Sequence, residues 1–374
     1  MKKLLAVLLI LVMVFTFAAC GNSDKGGADT GAIDYDAIPD TMESEDGTYQ
    51  LAFVTDVGQL KDGSFNQFTW NGVKAYASKN ELSYKYYQPA NGDKATDTDR
   101  YDAMKAAAEA KADVIVCAGF MQGTALAQAA AEFPDVHFVF IDGWALDGLD
   151  NVAAVIYQEE QAGYLAGYAA VMEGFESLGF SGGGGGTNPA CERYGYGFVQ
   201  GVEDAAAAKE VKVQMRYSWE YGASFGPSQD LQAMLNGWYQ SGTEVIFMCG
   251  GSMFQSGAAA ASSNDAFLIG VDVDQSGQSD TVVTSAMKDL AGSTMDVLAA
   301  HYGDNWADFG GKCVNLGAST DRVGIPTDPW KLENWTVEDY NDLYAKVKSG
   351  DIEISNEVIS DPSTLTWENV TFVK

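Results

Sequence analysis

The segment from Asp113, DVIVCAGFMQGTALAQAAAEFPDVHFVFIDG, recurs in outline from Glu244 as EVIFMCGGSMFQSGAAAASSNDAFLIGVDVD. Each copy is an apolar run rich in β-branched residues, a glycine turn, an alanine-rich helical stretch, and a second apolar run. The second run ends in Asp142 in one copy and Asp272 in the other. Upstream, FTWNGVKAYA and GYGFVQGVEDAAA read as matching helices, followed by the strands YKYYQPA and VKVQMRYSW. The order strand–helix–strand–helix–strand–helix–strand therefore occurs twice. Such alternation predicts parallel, doubly wound sheets. The short runs LAFVTD, VIVCAG, FVFID, VIFMCGG and FLIGVD are apolar on both faces, as strands covered by helices on each side must be.

The expected fold is α/β, with two doubly wound lobes and a cleft between them. Ligands of open α/β sheets lie at the carboxyl ends of the strands. That directs attention to VTDVGQLKDGSFNQFTWNGVKAYA, where an apolar run breaks at Asp56 into a loop carrying Phe65 and Asn66. NVAAVIYQEEQAGYLAGYAAVMEG is expected to cross from the first lobe to the second. The chain beyond Gly270 is expected to cross back, with TVVTSAMKDLAGSTMDVLAAHYG as another strand and helix. Lobe 1 is thus placed at residues 48–174 with part of 278–322, and lobe 2 at 175–277 with part of 323–374. An amphipathic helix is expected near Thr336 to Lys348.

The first 19 residues read as a signal peptide: Lys2 and Lys3, an apolar stretch from Leu4 to Phe17, then small residues before Cys20. The apolar stretch is short for a membrane span. Residues 20–47, rich in Gly, Asp and Ser and without periodicity, read as a flexible tether. The formal net charge of −30 argues against nucleic acid and anionic lipid surfaces as partners. Cys117, Cys191, Cys249 and Cys313 show no CxxC spacing, and the only histidines, His137 and His301, belong to no motif. No metal site or cofactor is expected. Cys117 and Cys249 end apolar runs and read as buried thiols, although disulfides are chemically open in an exported protein.

With these pieces in place, VTDVGQLKDGSFNQFTWNG, EEQAGYLAGY, YGYGFVQGV, and GVDVDQS followed by TSAMK together resemble the basic membrane lipoprotein family of substrate-binding proteins, which includes purine nucleoside receptors of ABC importers. The resemblance covers nearly all of the chain after the tether. It implies a periplasmic-binding-protein type I fold and no enzymatic activity. It further implies that Phe17-Ala18-Ala19-Cys20 is a lipobox, with Cys20 acylated on the extracytoplasmic face of a bacterial cell membrane. The partners implied are a nucleoside and an ABC permease. Carried over position by position, the ligand site would comprise Asp56, the stacking aromatic Phe65 and its neighbour Asn66, Phe120, the second stacking aromatic Phe225, the pair Gly250 and Gly251, Asp272, and Lys288.

The chemistry of these residue types suits a nucleoside. Flat apolar rings stack on a base, carboxylates accept from ribose hydroxyls, and glycines let backbone approach closely. Residue type alone also admits blander roles. Asp56 and Asp272 could cap turns, the phenylalanines could be core, and Lys288 could merely neutralise an acid. The chain departs from the family pattern at Thr124, where relatives carry Asp, at Gly226, and in the long glycine run from Gly182 to Gly186. That run lacks the GKS/T of a phosphate loop and is expected to be a flexible loop on the hinge side. Riboflavin-like and sugar ligands remain alternatives, as does a surface signalling receptor. A nucleoside hydrolase on this scaffold would need a general acid or a metal beside the glycosidic bond, and the sequence offers carboxylates but no Asp-rich metal cluster and no usable histidine.

Overall fold

The structure, a computed structural model, describes residues 33–57 and 59–374. The expected signal peptide and Cys20 lie outside the described residues. The first repeat comprises β1 (Leu51–Val54), α1 (Phe65–Lys79), β2 (Tyr84–Tyr87), α2 (Asp97–Glu109), β3 (Val114–Ala118), α3 (Gly123–Glu132) and β4 (His137–Ile141). β5 (Val152–Tyr157) and α4 (Glu159–Glu173) lead to the second. It comprises β6 (Ser177–Gly182), α5 (Pro189–Lys209), β7 (Val213–Ser218), α6 (Gln229–Gln240), β8 (Val245–Cys249), α7 (Phe254–Ser263) and β9 (Phe267–Asp272). The remainder forms β10 (Val282–Lys288), α8 (Leu290–Tyr302), β11 (Cys313–Leu316), β12 (Val323–Gly324), α9 (Val337–Ser349) and β13 (Val370–Phe372).

Two sheets result, ordered β2-β1-β3-β4-β5-β11 and β13-β7-β6-β8-β9-β10-β12. All pairings are parallel except β10 with β12. The central strands β1, β3 and β8 are buried along their whole length, which is why their sequences are continuously apolar. Sequence also sets the helix starts. Thr96 with Asp99 and Thr336 with Asp339 form capping boxes, and Asn188 caps α5 ahead of Pro189.

α4 and α5 pack closely because their glycines permit it. A Cβ on Gly163 or Gly167 would overlap the backbone of α5, and one on Gly197 or Gly201 the backbone of α4. The glycine-spaced stretches EEQAGYLAGY and YGYGFVQGV are thus the two halves of one helix contact.

Two expectations need correction. The strand after Gly270 does not cross back. β10 stays beside β9, with Ala286 opposite Val271, and the crossing begins after Lys288 where α8 packs on α1. The chain returns to the first sheet in β11 and to the second in β12. Nor is the described part of the 20–47 segment a free tether throughout. Tyr35 packs edge-on against Phe68, and Lys74 Nζ donates to Ile38 O at 3.2 Å. Asp40 pairs with Lys74 and Lys61, and Tyr84 OH donates to Pro39 O at 2.9 Å. The anchor is polar and comes from distant residues, so no local periodicity announces it.

Candidate functional site

The carboxyl ends of both sheets face one another across a single cleft of about 630 Å³, open solvent included. Asp56, Phe65, Asn66, Phe120, Phe225, Gly250, Gly251, Asp272 and Lys288 all line it. In lobe 1, Asp62 organises the loop between β1 and α1. Its carboxylate accepts from the backbone N–H groups of Ser64, Asn66 and Gln67 at 2.9, 3.0 and 3.1 Å. Burial still pushes its carboxyl up, against those hydrogen bonds. Asn66 is engaged within the lobe. Its Oδ1 accepts from Asp56 N at 2.8 Å, and its Nδ2 donates to Asp62 and to Val57 O. Gly119 has φ +90, and a Cβ there would overlap the Asp56 carboxylate. Asp56 is thereby seated over the end of β3. Its Oδ1 is shut off from solvent and has no partner among the described residues. Burial pushes its carboxyl up to about 7, with Arg100 opposing the shift.

Asp142 and Asp272 occupy the same place in the two repeats, and both adopt left-handed backbone, φ +55 and +67. Aspartate tolerates this region better than most residues. Lys288 lies between them. Its Nζ is 2.6 Å from Asp142, 3.4 Å from Glu159 and 3.7 Å from Asp272. It also sits 5.0 Å from the Phe65 ring centroid. Burial alone would lower the Lys288 pKa, but the three carboxylates outweigh it and hold the ammonium above its ordinary value. Burial pushes the Asp142 carboxyl up, with Lys288 opposing. Asp142 Oδ1 and Tyr194 OH, both at the cleft, have no partner among the described residues.

Phe225 stands in left-handed backbone at φ +57, a costly conformation for a bulky side chain. Backbone hydrogen bonds hold it there: its N–H donates to Gly222 O, and its carbonyl accepts from Met253 N at 2.8 Å. The ring lies on Gly183 and Gly184, where added side chains would collide with it. The glycine run is therefore a seat for this aromatic at the cleft wall, rather than a loop on the hinge side. Direct contacts between lobes close the cleft. Ser64 Oγ donates to Asp272 Oδ2 at 2.6 Å, and Gln278 Nε2 to Gly63 O at 2.7 Å.

Sequence reasoning omitted Asp62, Asp142, Asn188, Cys191, Tyr194, Cys249 and Ser252 from the site, and all line the cleft. The repeat held the signal for Asp142, its match to Asp272. Thr124 is exposed and does not line the cleft. Among the described residues no group of three or more His, Cys, Asp or Glu side chains is placed to hold a metal ion. The arrangement offers unpartnered carboxyl oxygens, a charge-neutralised lysine and aromatic faces, a set suited to binding a small polar ring system.

Residues 49–357 match the family described as ABC transporter substrate-binding protein PnrA-like, Bmp. The chain belongs to the Bmp family. Its members are substrate-binding proteins of ABC transporters, which work outside the cytoplasm and are not enzymes. This Bmp protein is 26% identical to the CD4+ T-cell-stimulating antigen of Listeria innocua, over 94% of this chain and 97% of that one. It is 28% identical to the ABC transporter nucleoside-binding protein BmpA of Lactococcus lactis, over 73% and 74% of the two chains. An ABC transporter solute-binding protein from Aeropyrum pernix shares the fold, with a TM-score of 0.69 at 21% identity, covering 84% of this chain and 94% of the other. The two parallel-sheet lobes are thus the type I arrangement of periplasmic binding proteins. No helix among the described residues is long and apolar enough to cross a membrane.

Proposed function

We propose that this Bmp protein captures a nucleoside, of the purine class, in the cleft between its lobes and delivers it to an ABC importer. The observation that carries the reading is the convergence of Asp56, Phe65 and Phe120 from one lobe with Phe225, Asp272 and Lys288 from the other on one cleft. Phe65 and Phe225 stack on the base. The unpartnered oxygens of Asp56 and Asp142 accept from ribose hydroxyls or base N–H groups. Asn66 acts by holding Asp56, since its own amide is already engaged. Gly250 and Gly251 let the backbone of lobe 2 approach the ligand. Acylation at Cys20 tethers the protein to the outer face of the membrane, beside its permease. The relative named nucleoside-binding supports the ligand class.

A thermal-shift panel of purine and pyrimidine nucleosides, free bases, riboflavin and sugars tests the reading. A binder raises the melting temperature as its concentration passes its Kd. Purine nucleosides are expected to shift it, and Asp56→Ala and Phe225→Ala to remove the shift. A shift with sugars or riboflavin alone overturns the ligand. Uptake by cells carrying Cys20→Ser tests the anchor, with loss of nucleoside import as the expected result.

A further inference from the structure

Two of the four described cysteines meet in the cleft wall. Cys249 ends β8, and Cys191 lies in the first turn of α5, immediately after the Asn188 cap. Both are free and buried, both line the cleft, and the two thiols are near enough to act on one another electrostatically. The other two cannot join them or each other. Cys117 is on β3 and Cys313 on β11, in the other sheet, with β4 and β5 between. Three strand spacings amount to about 14 Å, twice the reach of a disulfide. Nor is the cleft pair part of a metal site, since the described residues supply no third ligand.

We propose that Cys191 and Cys249 form a reversible oxidation site, a dithiol of the cleft wall that closes to a disulfide and that bound nucleoside screens from oxidant. The oxidant is a low-molecular-weight disulfide, such as an exported protein meets outside the cytoplasm. The deprotonated Cys191 sulfur attacks one sulfur of that disulfide. The small molecule's S–S bond breaks, and one small thiol leaves. Cys249, deprotonated in its turn, attacks the mixed disulfide at the Cys191 sulfur and expels the second small thiol. The protein loses two hydrogens and two electrons, and the oxidant departs as two thiols. Cys191 leads because Cys249 has no exposed surface, and burial keeps its thiol protonated. Cys249 O accepts from Gly183 N at 2.8 Å, and Gly250 follows it, so the new bond lies in the wall that seats Phe225. Screening rests on the nucleoside reading; disulfide formation does not.

The test incubates the intact protein with oxidised glutathione, alkylates remaining thiols after unfolding, and maps the peptides by mass. The expected product links the peptides of Cys191 and Cys249, two hydrogens lighter, and reverts with dithiothreitol. Cys191→Ser and Cys249→Ser each abolish it, while Cys117→Ser does not. The peptide map of the unsubstituted protein stands even if a variant fails to fold. Guanosine at about a hundred times its Kd should slow oxidation about a hundredfold, in line with the unoccupied fraction. Free Cys191 and Cys249, or glutathione adducts alone, overturn the pair. An unchanged rate with guanosine that does raise the melting temperature overturns screening. If guanosine gives no thermal shift, the nucleoside reading fails, and the linked peptides are still read independently.

Discussion

Lys288 Nζ lies 2.6 Å from Asp142 Oδ2, joining β10 of one sheet to the end of β4 in the other. The lysine also serves Glu159 and Asp272, so one buried cation balances carboxylates from both lobes and from the crossover helix α4. Removing one partner of a buried ion pair costs about 3–5 kcal/mol, because the other charge is left uncompensated. Lys288→Met should therefore lower stability by that amount in denaturant titration. Asp142→Asn, which keeps a polar group beside the lysine, should lose less. Equal losses for the two would show that the cation is not the centre of the network.

Asp56 makes stability fall as pH rises. Its carboxyl titrates at about 7 when folded, against an ordinary value of 3.8. Between those values the folded state holds a proton that the unfolded state has lost. Stability is then greatest at the acid end and declines toward pH 7 by about 1.4 kcal/mol per unit. Above pH 7 the contribution is flat. Asp56→Asn should remove this slope, so the difference between wild-type and variant melting temperatures changes from pH 5 to 7 and levels off beyond. A constant difference across that range would refute the burial of Asp56.

Phe225 should be the most sensitive aromatic of the second lobe. Truncating a base-stacking ring costs about 1–3 kcal/mol, or about 5- to 150-fold in Kd. Phe225→Ala should weaken guanosine binding by that factor in calorimetry. Gly183→Ala should do much the same without touching the ring itself, because its Cβ would displace the ring from its seat. Tight binding by Gly183→Ala would mean the ring has another place to rest.

These positions were legible to different degrees. The doubled strand–helix order could be read because strands buried on both faces are apolar throughout, and Asp142 and Asp272 mark the same turn in each copy. The strand-end residues Asp56, Phe65 and Asp272 follow from where α/β sheets present their loops. Asp62 and Tyr194 could not be read this way. One earns its place through backbone hydrogen bonds within its own loop, the other by reaching the cleft from the helix α5. The segment of β10 reads as a strand, but its place beside β9 does not show in its own residues, and the docking of the stretch around Asp40 depends on Lys61 and Lys74 further along the chain.

The C-terminal strand β13 lies beyond the stretch that matches the family, yet it completes the second sheet beside β7, with Val370 opposite Val213. The segment before it accepts at Ser360 O from Trp219 Nε1 at 2.6 Å, and the Trp219 ring covers Gly182 and Gly186. Ending the chain at Glu357 should expose the β7 edge and loosen the seat of Phe225. Lower melting temperature, self-association on sizing and weaker guanosine binding are expected together. Full binding by the shortened chain would separate the tail from the site.

The histidine pair gives the opposite pH response to Asp56. His137 Nδ1 and His301 Nδ1 are 2.7 Å apart, so one neutral ring donates to the other, and His137 stacks on Trp306. Burial, with a contribution from His301, lowers the His137 pKa to about 4, and burial lowers that of His301 although Asp113 opposes it. Unfolded histidines titrate near 6.5. Between 6.5 and 4 the unfolded chain binds a proton at His137 that the folded ring refuses, and His301 acts in the same direction. The stability from this pair is complete above 6.5 and drains away as pH falls toward 4, at less than about 1.4 kcal/mol per unit for each ring because both are only half-buried. His137→Phe retains a ring against Trp306 and removes one of the titrating partners. Its melting temperature should fall less steeply than wild type from pH 6.5 to 4, whatever its value at neutral pH. Parallel acid slopes would exclude the pair as the source of the protein's acid sensitivity.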